Sequence, residues 1–345
     1  MGAPEQAQIA SNGHPEAVYE VSSMTTHRTN SANNVVIRPV LEGDLDEVDL
    51  IFRRAFGTFF GVEEPEKIFG DTELVRTRWL ADPGAGYLAE LNSEVVGSNF
   101  ITTWGSFGFL GPLTVRPDCW DRGIAHRLME ATMELFASRE TSYEGLFTFS
   151  HSPKHIVLYQ RFGFWPRFLI AVMEASVAAP AGAPGYSRFS ELASRDRAAA
   201  TAAVRDLTGA IFAGLDVSRE IDAVFNQNLG ETLLLDDGSG LQAAAVCHIG
   251  PGTEAGSGMC YLKFAAARPG PDAPIWFGRM IDACHDLAAS SGAAILQAGV
   301  NFGRVRAYEA LVARGFRTQF QGVSMHRPNE DAYDTTGTFV LDDWR

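Results

Sequence analysis

Residues 115–129, VRPDCWDRGIAHRLM, combine residue types that could bind an anion. A strand-like run ends at Pro117, and a helix-like run then begins with GIA at 123–125. The first backbone N–H groups of a helix have no partner inside it, and the helix dipole favours negative charge there. We therefore expect the amides of residues 120–125 to wrap a pyrophosphate. An ordinary strand-to-helix turn, in which the glycine relieves strain, is the alternative interpretation.

The elements around this segment alternate between strand and helix patterns. Three strand-like runs at 86–91, 94–104 and 107–115 precede it and are separated by turn residues, as in an antiparallel meander. After the helix-like run, a strand-like segment at 144–150 leads into a helical segment at 153–162. The predicted anion-binding loop thus connects a strand to a helix inside a mixed α/β unit.

The later part of this element order is repeated after an Ala-, Pro- and Gly-rich segment. The two halves also end alike, with LYQRFGFWPRF at 158–168 and ALVARGFRTQF at 310–320, which indicates a duplication. We predict four parts along the chain: a disordered tail at 1–34, a first domain at 35–175, a linker at 176–186 and a second domain at 187–345.

Composition argues against several classes of function. The formal net charge of −14 disfavours nucleic-acid binding, because phosphate contacts need clustered Lys and Arg. The four cysteines are too widely spaced to indicate a disulfide framework or a zinc site. We find no apolar run near the ~20 residues of a membrane helix and no signal-peptide pattern. We therefore expect a cytoplasmic protein with no nucleic-acid, membrane or metal partner, and we leave homodimerisation open.

Two motifs make the first half resemble the GNAT acyltransferase superfamily. That family's pyrophosphate loop is Gln or Arg, two residues, Gly, one residue, then Gly or Ala, after a strand of form LxVxP. LTVRP at 113–117 and WDRGIA at 120–125 fit this pattern, with Trp120 in place of Gln or Arg. A second family motif, which ends in LY, three residues and GF, is similar to SPKHIVLYQRFGF at 152–164, where Ser152 replaces an Asn.

The resemblance implies an α/β fold with two tandem GNAT-like domains, each a mixed, mostly antiparallel sheet flanked by helices. It also implies an N-acyltransferase that moves an acyl group, most simply acetyl from acetyl-CoA, directly to a primary amine of a small molecule. The pantetheine arm would pair with the strand at 111–115. The residues expected to bind the cofactor are Leu113, Thr114, Val115, Trp120, Asp121, Arg122, Gly123, Ile124, Ala125 and Ser152.

Tyr159 is the expected catalytic acid. Its phenol stands at the family's position beside the sulfur, where it would protonate the leaving thiolate. A core tyrosine is the alternative, because Ile156, Tyr159 and Phe162 also form a helical face. A base is harder to assign: the strand at 107–115 contains no acid, and His151 is the nearest titratable candidate. A loop histidine bonded to the backbone is the alternative for His151.

An aromatic-rich acceptor region is expected between the first helices and the strand ends. Its candidate residues, for which a plain core role is the alternative, are Phe56, Phe59, Phe60, Phe69, Trp104 and Phe107.

The second half is expected to be catalytically silent. Prolines at 269, 271 and 274 remove backbone donors from the segment where a pyrophosphate loop should fall, and Leu311 stands at the position of Tyr159. Such a half would buttress the first, and a residual pocket at Tyr308 and Asn301 is the alternative. Two other functions stay open for the whole chain: a non-catalytic acyl-CoA sensor or interaction module, and an acetyltransferase for protein N-termini or lysines.

Overall fold

A computed structural model describes residues 34–178 and 185–345 of the chain. The predicted disordered tail lies almost entirely outside the described residues, as does most of the predicted linker. The helices are α1 Leu45–Phe59, α2 Val75–Ala81, α3 Ile124–Ser138, α4 Pro153–Gln160, α5 Ser194–Ile211, α6 Ser218–Gln227, α7 Ala273–Ser290 and α8 Val305–Ala313. None of them is both long enough and apolar enough to span a bilayer, within the part of the chain that is described.

The strands form one mixed sheet, so the predicted fold class is confirmed. They are β1 Val35–Pro39, β2 Gly86–Leu91, β3 Glu94–Trp104, β4 Phe107–Leu110, β5 Thr114–Val115, β6 Tyr143–Thr148, β7 Trp165–Ser176, β8 Ser187–Arg188, β9 Gly230–Asp236, β10 Leu241–Gly250, β11 Gly256–Ala267, β12 Ile295–Asn301, β13 Arg317–Arg327 and β14 Val340–Leu341. The pairs β4–β6 and β11–β12 are parallel, and the other pairs among the described strands are antiparallel.

The predicted strand at 107–115 is divided into β4 and β5. β4 pairs with β3 on one side and β6 on the other, and the chain then leaves β6 at Gly111 and Pro112. Proline has no N–H group to donate to a ladder, so the pairing ends there. β5 continues along β3 alone, with Thr114 opposite Ser98. The divergence opens a slot between β5 and the carboxyl end of β6.

The two halves exchange strands. The sheet order is β1-β2-β3-β4-β6-β13-β7-β12-β11-β10-β9-β8. β13 of the second half therefore lies between β6 and β7 of the first half, with Val323 opposite both Thr148 and Leu169. β7 in turn pairs with β12, with Ser176 opposite Ile295. The two halves are consequently one interlocked sheet rather than two separate bodies.

The corresponding slot of the second half is filled by the chain itself. β11 is parallel to β12 as far as Leu262, and beyond that point β14 pairs antiparallel with β11 at Ala265 and Ala266. Val340 and Leu341 are completely buried there. The last described residues thus take the place that, by analogy with the first half, an added strand would occupy between β11 and β12.

A buried ion cluster holds this inserted segment. Arg304 is completely buried and donates to Asp334 at 2.7 Å, to Asp342 at 2.9 Å and to the Val340 carbonyl at 3.1 Å. Tyr333 also donates to Asp342, at 3.0 Å. Because buried charges are tolerated only when paired and hydrogen-bonded, this set fixes the position of β14.

Candidate active site

The slot between β5 and β6 widens into a cleft of about 1420 Å³. This volume exceeds the ~300–1000 Å³ of a typical single-ligand pocket. One end lies at the loop before α3. The other end lies between α1, β7 and β13 and reaches residues of the second half, including Gln297 and Glu254. The cleft can therefore hold two molecules end to end, one at the loop and one near the second half.

The predicted cofactor-binding residues lie together at the first end. All of them except Arg122 line the cleft, whereas Arg122 points to the exposed surface of the loop. Ser152 precedes the first turn of α4, makes no side-chain cap to that helix and lines the cleft, so within the described residues no cap bond occupies its hydroxyl group. The assignment of these residues to a cofactor remains a prediction.

The loop before α3 has the backbone of an anion-binding nest. Asp121 (φ 65°) and Gly123 (φ 79°) both adopt left-handed conformations, which turns successive N–H groups to the concave side. The expectation for the Trp120 amide is wrong, because it donates to the Pro117 carbonyl at 3.2 Å. Within the described residues, the backbone amides of 121–126 donate to no carbonyl. A Cβ built at Gly123 meets nothing within 4 Å. The cradle is thus open, and its donor set fits a pyrophosphate.

Trp120 lies against β5 and joins the loop to that strand. Its indole Nε1 donates to the Val115 carbonyl at 2.7 Å. The Lys154 ammonium lies 6.0 Å from the centre of its ring and pairs with Asp121 at 2.5 Å. The side chain that departs from the family motif therefore has a structural role, because it fixes the loop to the strand that the pantetheine arm would follow.

The free edge of β5 faces the slot. The Arg116 amide donates to the Val96 carbonyl of β3 at 2.8 Å. Since N–H groups alternate in direction along a strand, the amides of Leu113 and Val115 point away from β3 and into the cleft. Trp120 donates to the Val115 carbonyl and so occupies an acceptor of this edge, whereas the N–H groups of Leu113 and Val115 can donate to a ligand.

Tyr159 lies where α4 meets the cleft. Its side chain is buried among apolar residues, and its hydroxyl group has no hydrogen-bond partner within the described residues. Burial raises the pKa of Tyr159 well above its usual value. The phenol is therefore a neutral proton donor that nothing else in the described chain engages, which suits a general acid.

The two histidines near α4 have different positions. His151 is exposed, stacks on Phe59 at 5.9 Å between ring centres and does not line the cleft. His155 does line the cleft, with its ring 5.2 Å from that of Phe59. Burial, followed by the charges of Lys154 and His151, lowers the pKa of His155. The structure thus brings His155 to the cleft, and the role of His151 as a base stays a prediction.

The second end of the cleft is lined by aromatic side chains. Phe56, Phe59, Phe60 and Phe69 lie there as expected, and Phe149 and Phe320 join them. The expectation for Trp104 and Phe107 is wrong. Both are buried in the core between the sheet and α5 and α6, because these residues of β3 and β4 face the second half.

A buried polar cluster supports the point where the slot opens. Arg78 donates to the Gly111 carbonyl at 2.7 Å, pairs with Glu254 at 3.1 Å and contacts a main-chain oxygen of Arg345. Lys263 pairs with Glu254 at 2.8 Å. Burial alone would raise the pKa of Glu254, but the two cations outweigh it and hold this pKa far below its usual value. Residues of the second half therefore buttress the first, as predicted.

Sequence reasoning missed the cleft residues contributed by the second half. Glu254, Gln297 and Phe320 belong to segments whose sequence carries no catalytic motif, and only the strand exchange brings them to the site. Within the described residues, we find no cluster of three His, Cys, Asp or Glu side chains that could hold a metal ion.

Comparisons with known proteins agree with this fold. The model of the Acetyltransferase (GNAT) family matches residues 46–164. No curated protein matches the sequence. Similar solved structures include a candidate acetyltransferase from Pyrococcus horikoshii (16% identity, TM-score 0.64, 92% of this chain and 97% of that chain). A GCN5-related N-acetyltransferase from Sphaerobacter thermophilus is 14% identical, with a TM-score of 0.57, and the match covers 85% of this chain and 95% of that chain. A tandem GNAT protein from the clavulanic acid biosynthesis pathway is 10% identical, with a TM-score of 0.50, and the match covers 85% of this chain and 98% of that chain.

Proposed function

We propose that this chain transfers acetyl from acetyl-CoA to a primary amine of a small molecule. The premise is its match to the GNAT acetyltransferase family through residues 46–164. One observation carries this proposal: a single cleft is lined by an open nest of backbone amides, by an aromatic chamber and by Tyr159. The continuity of the cleft supports direct transfer, because donor and acceptor can meet without leaving the protein.

Different residues of the cleft would bind the cofactor and donate the proton. Bound acetyl-CoA would supply the acetyl group as a thioester. The amides of 121–126 would bind its pyrophosphate, and the N–H groups of Leu113 and Val115 would hold the pantetheine arm along β5. As the neutral amine attacks the carbonyl carbon and the carbon–sulfur bond breaks, Tyr159 would donate its proton to the thiolate, and the proton lost by the attacking nitrogen would restore the Tyr159 phenol.

We assign this chemistry to the first half alone. In the second half, β14 fills the slot along β11, and buried Leu311 stands where the first half has Tyr159. The segment before α7 contains Pro269, Pro271 and Pro274, which cannot donate to a phosphate. The second half thus lacks both an open strand edge and an acid at the corresponding positions.

Thiol release from acetyl-CoA, measured over a panel of primary amines, tests the proposal. We expect release that depends on the amine and a product that is heavier by one acetyl group in mass spectrometry. Binding of acetyl-CoA without turnover of any amine would instead favour a sensor.

Gly123→Ala is expected to weaken acetyl-CoA binding about tenfold. A residue with a Cβ atom pays ~1–2 kcal/mol in the left-handed conformation that Gly123 adopts, so the loop of the free variant would leave that conformation. Binding of acetyl-CoA would have to restore it, and ~1.4 kcal/mol corresponds to tenfold in affinity. Calorimetric titration with acetyl-CoA measures the effect. Gly209→Ala is the matched control, because Gly209 is exposed on α5 outside the cleft. Equal affinity for both variants would contradict a role of this loop.

A further inference from the structure

The aromatic end of the cleft leaves large apolar surfaces open. Phe59 and Phe149 stack at 4.6 Å between ring centres, and Phe320 lies 6.0 Å from Phe149 and 6.3 Å from Phe60. Phe60 is 42% exposed and Phe69 39% exposed, although both line a concave site. Clustered exposed aromatic side chains in a cleft are typical of a site that buries an apolar ligand.

Two carboxylates of the cleft, Asp71 and Glu174, have no cationic partner within the described residues. Four acidic side chains line it: Asp71, Asp121, Glu174 and Glu254. Glu254 pairs with Arg78 and Lys263, and Asp121 pairs with Lys154. Asp71 accepts hydrogen bonds from the amide and the hydroxyl group of Ser257.

Glu174 differs from the other three acids. It accepts one hydrogen bond, from the Gln297 side-chain amide at 2.9 Å, and no cation of the described residues lies within salt-bridge distance of it. Arg317 is opposite Glu174 in the β7–β13 pair, but it is exposed and forms no ion pair with it. A half-buried carboxylate with unused acceptor positions is suited to a cationic ligand.

The position of Glu174 is fixed relative to the aromatic end. Val172 and Glu174 are two residues apart on β7, and both line the cleft. Val172 lies opposite Phe320. Because a strand rises ~3.3 Å per residue, the carboxylate-bearing position is about 7 Å along β7 from the aromatic end. Gln297, which orients the carboxylate, is itself held by the Arg345 guanidinium at 2.8 Å.

We propose that the acceptor is a hydrophobic primary amine, whose aromatic or aliphatic body lies against Phe320 and its neighbours and whose ammonium group is bound by Glu174. This inference rests on the proposed function and names its substrate class. The Glu174 carboxylate binds the amine as its ammonium ion on arrival, and one proton of that ion passes to solvent water in the cleft before the neutral amine attacks. Polar polyamines and sugar amines lack the apolar body that this chamber selects.

Binding to the protein saturated with coenzyme A tests the inference without turnover. Calorimetric titrations would compare phenethylamine with 2-phenylethanol, which has the same body but no charge, on the wild-type protein and on Glu174→Gln. We expect Glu174→Gln to weaken phenethylamine binding about tenfold or more and to leave 2-phenylethanol unchanged, because only the amine loses a charge-assisted hydrogen bond. Glu309→Gln, an exposed carboxylate on α8, is the matched control.

Two further comparisons make the outcome decisive. Phe320→Ala should weaken phenethylamine and 2-phenylethanol alike, and spermidine should bind the wild-type protein more weakly than phenethylamine. Equal affinity of phenethylamine for the wild-type protein and Glu174→Gln, or tighter binding of spermidine, would overturn the inference. Thiol release with the same amines separates the two proposals. Turnover that is insensitive to Glu174→Gln removes only this inference, whereas binding without turnover removes the proposed function.

Discussion

Tyr159→Phe is expected to lower kcat for acetyl transfer by at least about 100-fold and to leave acetyl-CoA affinity unchanged. A positioned general acid typically contributes ~10²–10⁴-fold, and the substitution removes only the hydroxyl group from a buried apolar site. The hydroxyl group has no partner in the described residues, so its removal leaves no donor or acceptor unpaired and should not destabilise the protein. Steady-state kinetics with thiol detection measures the change.

The pH profile adds a second readout for the same residue. Burial disfavours the phenolate, so the pKa of Tyr159 lies above the usual ~10 of tyrosine. The acid form is therefore present throughout neutral pH, and kcat should show no alkaline decline from this group below about pH 10. Tyr87→Phe is the matched control, because Tyr87 is a half-buried tyrosine of β2 outside the cleft. Equal kcat values for the two variants would mean that Tyr159 is only a core tyrosine.

The donor end of the site could be predicted from sequence because it is local. The strand, the loop at 120–125 and α3 are contiguous in the chain, and their anion-binding property depends on backbone amides and on Gly123. The sequence pattern could not show the role of Trp120. Its hydrogen bond to the Val115 carbonyl depends on how the loop folds back over β5.

The acceptor end could not be predicted because it is assembled by non-local pairing. β7 and β13 belong to segments with similar sequences, and local propensity does not decide which strand lies beside β6. The sequence around Glu174 carries no sign of a binding site. Pairing of β7 with β12 places Gln297 beside Glu174, and both residues line the cleft. His155 shows the same limit, because it lines the cleft although its spacing in the sequence did not predict a place there.

Loss of the phosphate site in the second half was predicted from the sequence, whereas closure of its slot was not. The prolines at 269, 271 and 274 remove phosphate donors, as expected. The structure adds a physical obstacle, because β14 pairs with β11 at the strand edge that a pantetheine arm would need. The side chains that follow β14, Trp344 and Arg345, line the cleft of the first half. The segment thus closes one slot and completes the wall of the other.

Arg304→Met is accordingly expected to destabilise the protein by about 3–5 kcal/mol, because it leaves Asp334 and Asp342 buried without their cation. Urea denaturation measures the free energy of unfolding. Arg314→Met is the matched control, since Arg314 pairs with Asp282 at the surface, where an ion pair contributes ~0–1 kcal/mol. A difference below about 1 kcal/mol between the two variants would contradict this role of the buried cluster.

The kinetic consequence follows from the same contacts. Release of β14 would displace Trp344 and Arg345 from the cleft and would free Gln297, which Arg345 orients toward Glu174. The folded fraction of Arg304→Met should therefore show a raised KM for the amine, while its affinity for acetyl-CoA, bound at the loop before α3, stays near that of the wild-type protein. If the KM for the amine rises and the affinity for acetyl-CoA also falls, the inserted segment supports the whole sheet rather than the acceptor wall. An unchanged KM for the amine would mean that β14 remains in place without its arginine.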